Sequence, residues 1–138
     1  MFGHLGEHEA RTLLREGKVG RLGCCDQGRP YVVPVNYFFD GEFIYVHSLS
    51  GYKVDVLRAN PHVCLQTDVV EDDYHWRSVI AFGVYEEISN EALRKRVLAE
   101  FLRKLPYQTP VESRLNDPAQ VIVFRLCITE ITGVFEQW

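Results

Sequence analysis

The run Arg29-Pro30-Tyr31-Val32-Val33-Pro34-Val35-Asn36-Tyr37-Phe38-Phe39 constrains this chain more than any other segment. Its β-branched and aromatic residues favour an extended strand, yet Pro34 stands in the middle. Proline has no N–H to give a sheet ladder, so it marks an edge, a bulge or a break. A strand broken there leaves main-chain groups that need partners, and a flat ligand rimmed with donors and acceptors can supply them. Taken alone, the run has a simpler account, a sheet-edge proline with no ligand. Asp40-Gly41 follows, a strong hairpin signal because both residues tolerate the positive φ of tight turns.

Around this run the spacing predicts about six strands and three short helices. Ala10, Leu13 and Leu14 recur at helical spacing over residues 7–16, and Gly17 reads as the stop. Val19 to Cys25 reads as a first strand and Asp26-Gln27-Gly28-Arg29 as its turn. The strand from Glu42 to His47 places Phe43, Tyr45 and His47 on one face and Ile44 and Val46 on the other. A short helix opens at Ser50-Gly51 and closes at Asn60-Pro61. His62 to Val70 and Trp76 to Ile88 read as strands around the acidic loop Glu71-Asp72-Asp73. Ser89 and Asn90 are cap candidates for a helix through about Leu105 with the stripe Leu93, Val97, Phe101 and Leu105, broken by Pro106 and Pro110. Val121 to Ile128, continued by Ile131 to Phe135, is the last long strand. No strand–helix alternation is present, so a doubly wound sheet is not expected; a closed or partly closed antiparallel barrel disposes of the exposed edges.

Composition limits the function classes. The 138 residues suit one domain, 1–138, with 46% hydrophobic and 25% charged residues. A net charge of −4 argues against general nucleic-acid binding. No apolar stretch is long enough to span a bilayer and no basic-then-apolar leader opens the chain, so a cytoplasmic protein is expected. Cys24, Cys25, Cys64 and Cys127 sit among apolar neighbours without a C-x-x-C spacing and read as reduced core thiols. His4 and His8 have helical spacing but no third ligand, so no metal site is expected.

Nucleophile, zinc-protease, phosphate-loop and dinucleotide motifs are absent. One cluster suits an anion: His47-Ser48-Leu49-Ser50-Gly51-Tyr52-Lys53, where a strand end gives way to a helix start. Free backbone N–H groups at a helix N-terminus attract phosphate, Ser48 and Ser50 can donate, and Lys53 adds a point charge. Serine and glycine before a helix also serve as plain capping residues. Arg58 is either a second basic group or a solvated face.

The order strand, P-V-N-Y, D-G turn, strand ending H-S, then G-x-K opening a helix that ends N-P resembles the FMN-binding split-barrel family related to pyridoxamine 5′-phosphate oxidase. It looks most like the small bacterial branch that includes the 5-nitroimidazole-resistance proteins. The resemblance runs from Val19-Gly20-Arg21-Leu22 to Ile131-Thr132-Gly133. It implies a mainly β fold, a six-stranded antiparallel split barrel with short flanking helices. It also implies a homodimer with FMN at the subunit interface. By the same resemblance, the main chain at Val33, Pro34, Val35, Asn36 and Tyr37 would face the isoalloxazine ring. His47, Ser48 and Lys53 would hold the phosphate or ribityl chain, and Trp76 would come from the partner subunit. The oxidases themselves are longer and carry further basic residues for a substrate phosphate. No second basic cluster is seen here, so pyridoxal phosphate synthesis is not expected. The implied activity is transfer of electrons from a nicotinamide cofactor through FMN to a small acceptor, a nitro compound or quinone. A flavin carrier or sensor without turnover, and a split barrel using haem or a deazaflavin, are the alternatives. Tyr37, His75 and Tyr107 are the candidate proton donors, should the fold bring them to the ring.

Overall fold

The computed structural model describes residues 1–104 and 121–138. Its elements run β1 (Phe2–His4), α1 (Glu7–Glu16), β2 (Val19–Asp26), β3 (Arg29–Phe39), β4 (Phe43–Ser48), α2 (Tyr52–Ala59), β5 (His62–Asp72), β6 (His75–Glu87), α3 (Glu91–Lys104) and β7 (Ile122–Gln137). All pairings are antiparallel. The order β1-β7-β4-β3-β2-β5-β6 closes through a long β6–β7 ladder, so six strands form a split barrel and β1 flanks β7. Expected and observed elements agree closely. β1 is the addition, and Leu105, Pro106, Tyr107 and Pro110 lie outside the described residues.

The barrel interior is filled from alternate positions of each strand. Leu22, Tyr37, Phe39, Ile44, Val46, Leu65, Val79, Phe124 and Leu126 point inward, and Leu13 and Leu14 of α1 with Val56 and Leu57 of α2 plug the ends. A second cluster lies outside the wall, where Phe38, Tyr45 and Val123 meet Val97 and Phe101 of α3. Asn90 caps α3 by accepting from the Leu93 amide at 2.9 Å.

β3 is unbroken. Residues 29–36 pair with β2 in continuous register, with Pro34 opposite Arg21. Tyr37 donates its N–H to the Lys18 carbonyl at 3.1 Å. Antiparallel ladders alternate, so the amides of Val35 and Val33 also face β2, whereas those of Val32 and Asn36, and the ring nitrogen of Pro34, face the other way. Pro34 is therefore an edge proline inside a regular strand. The ladder from β3 to β4 holds only Tyr37↔Val46, Phe38↔Tyr45 and Phe39↔Ile44. Beyond Tyr37 the two strands part, and β4 continues on β7 to Ser48↔Ile122.

Candidate functional site

This parting of β3 from β4 is the split in the barrel. On one side runs the β3 edge from Asn36 back to Val32, without a strand partner there among the described residues. On the other runs the end of β4, then Leu49-Ser50-Gly51 and the first turn of α2. Continuing the β3–β4 register one residue back for each residue forward brings Tyr31 opposite Tyr52. Their rings do meet, edge to face, with centroids 4.9 Å apart. The cleft is thus bounded by the Tyr37–Val46 pair at one end and the Tyr31–Tyr52 contact at the other. Six residues of extended chain give it a length of roughly 20 Å.

The expected site residues divide by which way they point. Val35 and Tyr37 are core, and Val33 packs against it, so their side chains face inward. Only the main chain of this stretch, with exposed Pro34 and half-buried Asn36, borders the cleft. Tyr37 donates its hydroxyl to the Leu14 carbonyl at 2.6 Å, and burial pushes its pKa up to about 12. It is a structural tyrosine that anchors α1, with no free proton to lend. His47 carries its ring outward onto Phe101, with centroids 4.3 Å apart, because the odd-numbered face of β4 lies under α3. Ser48 is buried and donates to the Leu49 carbonyl at 2.8 Å, turning the chain out of β4.

Lys53 is the residue that stands out. It is half-buried in the first turn of α2, and burial pulls its pKa below the ordinary lysine value. No carboxylate or other hydrogen-bond partner meets its ammonium group among the described residues. Gly51 provides no side-chain cap, so the leading amides of α2 also lack a capping side chain. An unpaired ammonium beside free N–H groups is a cradle for a phosphate. Arg58, by contrast, is committed. It grips Glu87 through two hydrogen bonds of 2.9 and 3.2 Å, and Tyr85 donates to the same carboxylate at 2.6 Å. Asn60 fastens the exit of α2 to β2 by donating to the Cys25 carbonyl at 3.1 Å.

Trp76 lies elsewhere in this chain. The row through Pro34 runs across Arg21 and Gln66 to Ile80, and Trp76 sits four residues further along β6, beside Phe2. It shares the outward parity of Phe82 and Val84. That outer face holds a broad depression of about 610 Å³ lined by Val32, Cys64, Phe82 and Val84 among others. Of the cysteines, only Cys24 is buried; Cys25, Cys64 and Cys127 are half-exposed, because both wall faces are apolar enough to accept them. His75 pairs with Asp72 at the β5–β6 turn, far from the cleft. His4 belongs to β1 and His8 to α1, and no metal-binding cluster exists among the described residues. The Tyr31–Tyr52 contact escaped the sequence reading, because it depends on a register set by a turn at Gly41-Glu42, one residue beyond the expected Asp40-Gly41.

Comparison with known proteins matches this geometry to a family. Residues 6–134 fit the family model described as pyridoxamine 5′-phosphate oxidase. An uncharacterised protein of Rhizobium meliloti (strain 1021) is 30% identical, covering 94% of this chain and 91% of its own. A crystal structure of an FAD-binding protein from Mesorhizobium loti superposes with a TM-score of 0.83 at 28% identity, covering 100% of this chain and 98% of that one. A Bacteroides thetaiotaomicron protein assigned to 5-nitroimidazole antibiotic resistance gives 0.79 at 22% identity, covering 98% and 88%, and shows the same fold.

Proposed function

Because this chain belongs to the pyridoxamine 5′-phosphate oxidase family, we propose that it is a flavoprotein which binds FMN in the cleft between β3 and the β4–α2 segment. The observation that carries this reading is Lys53, a half-buried ammonium with no partner among the described residues, set beside uncapped helix amides. The FAD-binding relative at 28% identity supports the flavin class. FMN is the form chosen, since the cradle offers one cation and one helix end, which suit a single terminal phosphate.

The outward main-chain groups of Val32 and Asn36 would pair with the ring edge, and Lys53 with the α2 amides would hold the phosphate. When bound, the flavin would supply the redox chemistry, taking electrons from a nicotinamide cofactor for a nitro compound or quinone. Tyr37 would hold the ring-facing stretch rigid through its bond to α1. Trp76 would serve a second copy of the chain, joined through the apolar outer face around Val32 and Phe82.

A near-ultraviolet and visible absorbance spectrum of the purified protein, before and after FMN is added, tests the reading. A bound-flavin spectrum with steady nicotinamide oxidation in the presence of a nitroarene or quinone is expected. A colourless protein that FMN neither binds nor stabilises would refute it.

A further inference from the structure

We infer that the end of the β5–β6–β7 sheet carries a small-molecule site for a zwitterion, an α-amino acid with an aliphatic side chain. β5 pairs with β2 only through Gln66, so its hairpin with β6 runs on without β2, alongside the end of β7. There Val69, Arg77 and Phe135 stand directly opposite one another on three strands, so their side chains share one face. The Phe135 ring lies over Gly3 of β1, where a Cβ would come to 2.7 Å from it. Leu5, just before α1, and Glu9, in its first turn, approach the same face and bound a cavity of about 220 Å³. No residue from Tyr31 to Tyr37 or from His47 to Lys53 lines it, so it is separate from the flavin cleft.

The titratable residues around this cavity are Glu9, Glu71, His75, Arg77 and Glu136. Two of them are committed: His75 pairs with Asp72 at 2.8 Å, and the Trp138 indole N–H donates to Glu136. Arg77, Glu9 and Glu71 form no ion pair and no side-chain hydrogen bond with the described residues, and Glu71 reaches His75 only through its charge. A guanidinium set between apolar Val69 and Phe135 is a two-pronged seat for a carboxylate. Glu9 and Glu71 give the same space an excess of negative charge, which an ammonium group offsets. Leu5, Val69 and Phe135 supply apolar surface for a short side chain. A plain anion or a plain cation leaves part of this charge unmatched, whereas a zwitterion matches both signs. Volume sets the class, because the cavity is smaller than the roughly 300–1,000 Å³ of sites for drug-sized ligands. It suits an amino acid and excludes a nucleotide.

Isothermal titration calorimetry of the parent protein with L-leucine, isoamylamine and isocaproate tests the site, since each of the last two lacks one charged end. L-Leucine should bind at least about tenfold more tightly than either analogue. Arg77→Gln should remove its advantage over isoamylamine. The double substitution Glu9→Gln with Glu71→Gln should remove its advantage over isocaproate. All three positions are exposed, so the substitutions spare the core, and the analogues probe the parent without any substitution. Three outcomes would each overturn the site: no leucine binding by the parent up to about 20 mM, equal affinity for leucine and either analogue, or unchanged leucine affinity in Arg77→Gln.

Discussion

Two cations close together in the chain have opposite fates, and partner geometry is the reason. Arg58 spends its guanidinium on Glu87, whereas Lys53 has no such carboxylate within the described residues. A charge-assisted hydrogen bond contributes about 1.5–3 kcal/mol, so Lys53→Ala should weaken FMN binding by roughly 10- to 100-fold, read by fluorescence titration. Arg58→Gln should leave that affinity unchanged. His75 gives a different test. Its hydrogen bond to Asp72 raises its pKa above the ordinary 6.5, and the same bond lowers that of Asp72. The sign follows from linkage: the raised histidine steadies the β5–β6 turn at mildly acidic pH, and this contribution fades as pH rises through the elevated value. The lowered carboxyl sets the acid limit, where the contribution fades as pH falls through the depressed Asp72 value. An NMR titration should find His75 titrating above the ordinary value, and Asp72→Asn should bring it down.

Elements were legible where their signal was local. The α1 helix begins and ends where its apolar spacing and Gly17 predict. The β3–β4 hairpin turns at Gly41-Glu42, one residue beyond the expected Asp40-Gly41; Gly41 has φ of 100° and Asp40 accepts from the amides of Glu42 and Phe43. β1 was not legible, because three residues carry too little pattern and their ladder partners lie at Val134–Glu136, at the other end of the chain. Nor was the bulge that shifts the β6–β7 register between Phe82 and Gly83. Thr129 is the extra residue there and donates to the Phe82 carbonyl at 3.2 Å. A Cβ at Gly83 would lie 2.7 Å from the Cys127 carbonyl oxygen, a backbone atom with nowhere to retreat. Gly83→Ala should therefore cost roughly 2–4 kcal/mol of stability, read from the denaturant midpoint.

At the scale of the molecule, one wall face is apolar and uncovered among the described residues. Val32 is 65% exposed and Phe82 39%, and both line the outer depression. If a second copy covers that face and lends its Trp76, Val32→Lys should yield monomers by sedimentation and weaken flavin binding together. A monomeric variant with full flavin affinity would show that each chain completes its own site. No helix of the described residues is long and apolar enough to cross a membrane.

The order of elements and the antiparallel closure followed from local pattern, alternation and turn residues; the main-chain lining of the cleft came only with the family resemblance. Pro34 itself left edge, bulge and break open, and the β2 register showed it to be an edge. The direction of His47 could not be read locally, since both faces of β4 are apolar and either could have lined the barrel. Packing of α3 across Phe38 and Tyr45 decided it. The same holds for Lys53 and Arg58. A basic residue in a helix looks alike in any sequence, and whether a carboxylate from a distant strand reaches it depends on how the strands are arranged around it.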